Sequence, residues 1–136
     1  VMTDAEAFAS IALAAVACDG TLGREEAHAL RRELEYRTPY KDRTEQEMGA
    51  LFDRLLFTLR EQGVNQLVTE ALPALSPLQQ ETALAVAVQL THADRDVSPA
   101  EQVFLNQLCD RLSLPDGRAV AVMEAIMALH RDSLST

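Results

Sequence analysis

Apolar positions recur every three to four residues along most of this chain, the spacing of one helical face. Phe8, Ile11, Ala12, Ala15 and Val16 mark such a stripe in a first predicted helix. Thr3 is its N-cap and Glu6 stands three residues on, a capping box. Asp19-Gly20 ends it, with Gly20 suited to the left-handed position after a helix. A second helix is predicted from about Arg24 to Tyr36, with Ala27, Leu30 and Leu34 on its buried face. Pro39 biases Thr38 away from helix and opens a connecting loop. Thr44 and Glu47 form another capping box, leading into a third helix through Met48, Leu51, Phe52, Leu55, Leu56 and Leu59 that stops near Gly63. A short fourth helix follows, from Val64 to about Leu72. Ser76-Pro77-Leu78-Gln79 starts a fifth, and Ser98-Pro99-Ala100-Glu101 a sixth, each with Ser as cap and Pro in the first turn. Leu114-Pro115-Asp116-Gly117 separates the sixth from a seventh carrying Val120, Met123, Ile126, Met127 and Leu129.

No segment alternates with period two, so the expected fold class is all-α, a bundle of about seven helices. Composition agrees. Hydrophobic residues make up 48% of 136 residues but aromatics only 4%, a mixture that suits packed helices better than a β-sandwich. The length fits a single domain over residues 1–136 that buries a core without staples.

The formal net charge of −9 narrows the partners. A phosphate backbone or an anionic membrane surface would repel this chain, so no nucleic-acid partner is expected. Cations and basic protein surfaces are its natural counterparts, and a homodimer is the other association left open. Cys18 and Cys109 form no CxxC motif and are expected as free thiols in a reducing compartment. The opening residues are acidic without a basic stretch, and the long apolar runs, such as 83–90, are too short for a membrane span. A cytoplasmic location without membrane insertion is the resulting expectation.

One pattern goes beyond helix punctuation. Asp19-Gly20-Thr21-Leu22-Gly23-Arg24-Glu25-Glu26 is echoed by Asp94-Arg95-Asp96-Val97-Ser98-Pro99-Ala100-Glu101. Asp19, Leu22 and Glu26 are matched by Asp94, Val97 and Glu101 at a constant spacing of 75 positions. Each copy follows an apolar helical stretch, which predicts a duplicated helix–acidic turn–helix unit whose two copies pack together. If the turns meet, their carboxylates form a site for a hard divalent cation or an acidic docking surface. Capping is the competing explanation, because Asp and Glu are favoured in the first turn of any helix and Ser98 with Glu101 is a complete capping box. Capping does not, however, require an Asp four residues before the cap. An EF-hand is excluded by the absent glycine and ligand spacing.

His92, near the end of a predicted helix and two residues before Asp94, is a candidate for transition-metal ligation or acid–base work, though a helix C-terminus also favours His on dipole grounds alone. His28 and His130 have no recognisable partners and are expected at the surface. The chain lacks G-x-S-x-G, H-E-x-x-H, P-loop and dinucleotide motifs, and its five glycines supply no phosphate cradle. An enzyme is therefore not expected; a metal-dependent hydrolase using His92, Asp94 and Asp96 is the minor alternative.

The repeated turns resemble the tellurite-resistance TerB-like family. Ala17-Cys18-Asp19-Gly20 and Ala93-Asp94-Arg95-Asp96-Val97-Ser98-Pro99-Ala100-Glu101 carry the resemblance, which continues through Phe104-Leu105 and Leu108. It implies a compact all-helical, non-enzymatic cytoplasmic domain of stress-response or membrane-associated complexes, working with partner proteins. It also implies an acidic cluster for a divalent ion such as Ca²⁺, Mg²⁺ or Zn²⁺, with Asp19, Glu26, Asp94, Asp96 and Glu101 as the ligands. Family members commonly have Gly where this chain has Arg95, whose charge weakens cation binding unless it points outward.

Overall fold

Four capping boxes set the helix starts. Thr3 Oγ1 accepts from the Glu6 amide at 3.1 Å while Glu6 Oε1 accepts from the Thr3 amide at 3.2 Å. The same reciprocal pairs join Thr44 with Glu47, Ser76 with Gln79, and Ser98 with Glu101. Each satisfies two backbone donors that a helix start leaves without an intrahelical partner. The computed structural model describes residues 2–20, 23–92 and 97–136. Among them are six α-helices and no strand: α1 (Asp4–Ala17), α2 (Arg24–Glu35), α3 (Glu45–Ala71), α4 (Pro77–His92), α5 (Pro99–Arg111) and α6 (Arg118–His130). Short 3₁₀ turns at Tyr40–Asp42 and Leu72–Ala74 bracket α3.

The expected count of seven separate helices is not confirmed, but the boundary expected near Gly63 is where the structure has it: the 27-residue α3 is two helical stretches meeting at a kink, where Gly63 takes the non-helical angles φ 86° and ψ 169°. Only glycine adopts this backbone without strain, while the following residues resume the helix. A Cβ at Gly63 meets nothing within 4 Å, so the backbone angle alone sets the cost of substitution. Gly63→Ala is expected to lose about 1 kcal/mol in a urea melt; an unchanged midpoint would mean that the bend relaxes freely.

α1 is the centre of the domain, packed most extensively on α3 and α4. The expected stripe is buried at Ile11, Ala12, Ala15 and Val16 and half-buried at Phe8, but burial extends well beyond it, to eleven of the fourteen residues of α1. Alanine makes this possible, since small side chains let neighbouring helices approach from several sides. The one buried hydroxyl, on Ser10, donates to the Glu6 carbonyl at 2.7 Å, so no polar group is left unpaired there. α2 lies on the periphery with Leu30 and Leu34 buried, but Ala27, expected on that face, is exposed. Tyr40 anchors the link after α2. Its hydroxyl donates to the Ala5 carbonyl, and burial pushes its phenol well above the usual range.

The expected internal duplication is not confirmed as two equivalent units. α1 is buried on nearly all sides, whereas α4 leaves half its residues unburied and packs on α6 as well as α1. Arg118 meets Glu81 near the starts of α6 and α4 at 3.1 Å, and His130 approaches His92 at their ends. The two helices therefore run side by side in the same direction. Among the described residues, no helix is long and apolar enough to cross a membrane.

Candidate functional site

The end of α1 and the start of α5 are the described elements that flank the acidic turns. Cys18 is the C-cap of α1, and Gly20 follows with φ 86°, the left-handed conformation expected for it. Asp19 is exposed beside the negative pole of α1, a place where the helix dipole disfavours a carboxylate and favours a cation. From the other half of the chain, Ala100 in the first turn of α5 shares a cleft of about 180 Å³ with Cys18, Val64, Asn65 and Phe104.

Electrostatics brings the two halves closer together. The Cys18 thiol is pushed up from 9.0 to about 11, first by burial and then by the negative charges of Glu101 and Asp19. One thiol at the end of α1 therefore senses a carboxylate from each turn. Cys109 is raised as well, by burial and by Asp110, its own neighbour in sequence. Both cysteines are free and half-buried, as their spacing predicted for the pairing, though neither is fully enclosed.

The five sequence-predicted ligands divide into three groups. Asp19 and Glu101 both lie close enough to Cys18 to affect its ionisation. Glu26 is exposed at the start of α2, and its Oε2 accepts from the Gly23 amide at 2.6 Å. Gly23 has no side chain to answer, so this is half a capping box, and it occupies one of the two Glu26 oxygens. Asp94 and Asp96 lie outside the described residues. Glu101 keeps its capping role as well, because Oε1 accepts from the Ser98 amide at 2.9 Å. Among the described residues, no three His, Cys, Asp or Glu side chains converge as a metal-binding group.

Two features of this end of the molecule were not expected. His92 is buried, with Nδ1 2.9 Å from the Val88 carbonyl. A carbonyl only accepts, so the proton sits on Nδ1. His130, expected at the surface without a partner, is half-buried with its ring centre 6.3 Å from that of His92. The only signal in the sequence was that two helices each end in histidine, which says nothing about their alignment. A separate groove of about 730 Å³ opens at the opposite end of α1, lined by Phe8, Tyr36, Arg37, Pro39, Leu75 and Leu78. The Arg37 guanidinium lies over the Phe8 ring at 5.7 Å.

Among the described residues the arrangement defines a class: an all-helical domain in which Asp19 at the end of α1 and Glu101 in the first turn of α5 both act on the Cys18 thiol. A family model described as tellurite resistance protein TerB matches residues 5–129, and the chain belongs to that family. No curated protein and no solved structure matches it.

Proposed function

We propose that this TerB-family domain binds a divalent cation at its paired acidic turns, with Asp19, Glu26, Asp94, Asp96 and Glu101 as ligands, and serves a cytoplasmic stress-response assembly in that state. The observation that supports this reading is the half-buried Cys18 thiol, raised first by burial and then by the carboxylates of Glu101 and Asp19, which come from sequence-distant turns. Asp19 and Glu101 lie near the negative pole of α1, and a cation there would relieve the repulsion between them. The donors are carboxylate oxygens, which suit Ca²⁺ or Mg²⁺ better than Zn²⁺. Glu26 and Glu101 would each offer the oxygen that capping does not use. The second reading is a metal-free acidic surface that docks a basic protein, favoured by the net charge of −9.

Cys18 is a built-in reporter that separates the two. At pH 8 a thiol of pKa about 11 is thiolate in roughly one molecule in a thousand, so alkylation at this position should be slow. A bound cation offsets the charges of Asp19 and Glu101 and should speed alkylation of Cys18, followed by peptide mass spectrometry, while leaving Cys109 unchanged. The Asp19→Asn/Glu101→Gln double variant should react faster than the parent without any ion, though still slowly because burial remains, and no longer respond to Ca²⁺ or Mg²⁺. Calorimetric silence toward both ions, with unaltered Cys18 reactivity, would transfer the proposal to the docking surface. The same shift has a stability consequence. The folded thiol keeps its proton up to about pH 11, whereas the unfolded chain releases it near 9.0. The unfolded state thus binds fewer protons between these values, and stability should fall as pH rises through that window.

A further inference from the structure

We propose that His92 and His130 form a second metal site, a bis-imidazole pair for a borderline divalent transition ion of the Zn²⁺ class, distinct from the carboxylate turns. The two rings stand at the adjacent C-terminal ends of the parallel helices α4 and α6, with centres 6.3 Å apart and planes inclined by 34°. Two imidazoles on one ion, with metal–nitrogen bonds of about 2 Å, have ring centres roughly 5 Å apart in tetrahedral geometry and roughly 6 Å apart when trans. The observed separation is that of a trans pair, and a tetrahedral ion would draw the two ring centres together by about 1 Å. His92 is already prepared as a ligand. Its Nδ1 proton is committed to the Val88 carbonyl, which leaves the lone pair on Nε2 and fixes the ring, the arrangement that backbone carbonyls give to metal-bound histidines.

His130 supplies the second, independent observation. Its Nε2 is buried and has no hydrogen-bond partner among the described residues. A buried ring nitrogen without a partner is a cost that a metal bond removes. The negative poles of α4 and α6 converge here and favour a cation over a few ångströms. Arg131 follows His130 but is exposed, where solvent screens its charge. The soft-to-borderline nitrogen donors select a different ion class from the oxygen donors of the turns.

Long-range proton–nitrogen spectra of the three imidazoles test the assignment, with Zn²⁺ as the probe. Zn²⁺ should move the ring nitrogens of His92 and His130 together, saturating at one ion per chain, and leave those of exposed His28 in place. The His130→Ala variant should bind Zn²⁺ at least about tenfold more weakly while keeping its melting temperature in EDTA, since His130 Nε2 has no hydrogen bond to lose. The Asp19→Asn/Glu101→Gln variant should retain both ring shifts, so failure of Ca²⁺ and Mg²⁺ binding at the turns leaves this result standing. Zn²⁺ shifts at one ring only, at all three or at none would overturn the pair, as would unchanged Zn²⁺ affinity in His130→Ala.

Discussion

Replacing Leu84 by alanine is expected to destabilise the domain by about 2–5 kcal/mol, the largest effect of any substitution considered. Leu84 is fully buried in α4, the helix that packs on both α1 and α6. Shortening it removes apolar surface from the core and leaves a cavity that neighbouring helices close only in part. Alanine-rich packing makes matters worse, because the many buried alanines of α1 and α4, Ala83 and Ala87 near Leu84 in sequence among them, have no rotamers with which to fill a gap. Against a total stability of about 5–15 kcal/mol, such a loss is a large fraction of the whole. Urea unfolding followed by circular dichroism measures it. Val103→Ala on α5, at a position 53% exposed, is the control and should stay within about 0.5 kcal/mol of the parent. A Leu84→Ala loss below about 1 kcal/mol would show that α4 is not packed as described.

Gln80→Met should cost about 2–3 kcal/mol, though it preserves the length and much of the volume of the side chain. Gln80 is 5% exposed, and its amide is a clasp between three segments. Nε2 donates to the Leu72 and Leu75 carbonyls, both at 3.3 Å, and Oε1 accepts from the Ser113 amide at 2.8 Å. The first two bonds tie α4 to the 3₁₀ turn after α3, and the third ties it to the link between α5 and α6. Leu72 O also accepts from the Leu75 amide, so methionine deprives Leu75 O and Ser113 N of a partner most severely. Hydrogen exchange should show faster opening at Ser113 in the variant than in the parent. Parent-like exchange at Ser113 together with a parent-like melting temperature would remove the clasp from the account.

The capping boxes were legible because they are local. Thr3 with Glu6, Thr44 with Glu47, Ser76 with Gln79, and Ser98 with Glu101 each close over three residues, so residue identity and spacing suffice to place them. The break at Gly63 was legible for the same reason, and the helical dihedrals are interrupted there. How the stretch after the kink is directed depends on what packs around it. The stripe read into α1 is buried, but that burial spreads over nearly the whole helix was not legible, because alanine is ambiguous in a hydrophobic pattern. It fits a solvent-facing helix surface or the closest approach of two backbones, and here the latter holds.

The site divides along the same line. Asp19 and Glu101 were named from a repeated turn, and both are close enough to the half-buried Cys18 thiol to add to the rise that burial begins. The role of Glu26 in holding its own helix start was foreseeable as a first-turn acid, but the missing half of its capping box follows from Gly23. Neither the His92–His130 pair nor the Gln80 clasp left any local mark. His130 is 38 positions after His92, and Ser113 is 33 after Gln80.

What the sequence determined by itself is the helical class, nearly every helix start and the acidic character of two turns, because periodicity, capping and charge act between residues a few positions apart. The tertiary structure alone decided which helix is central, that α4 and α6 run parallel with their histidines together, and that Cys18 feels a carboxylate 83 positions away. Those outcomes depend on how apolar faces dock to bury the most surface, a competition among all helices at once that no short window of residues contains.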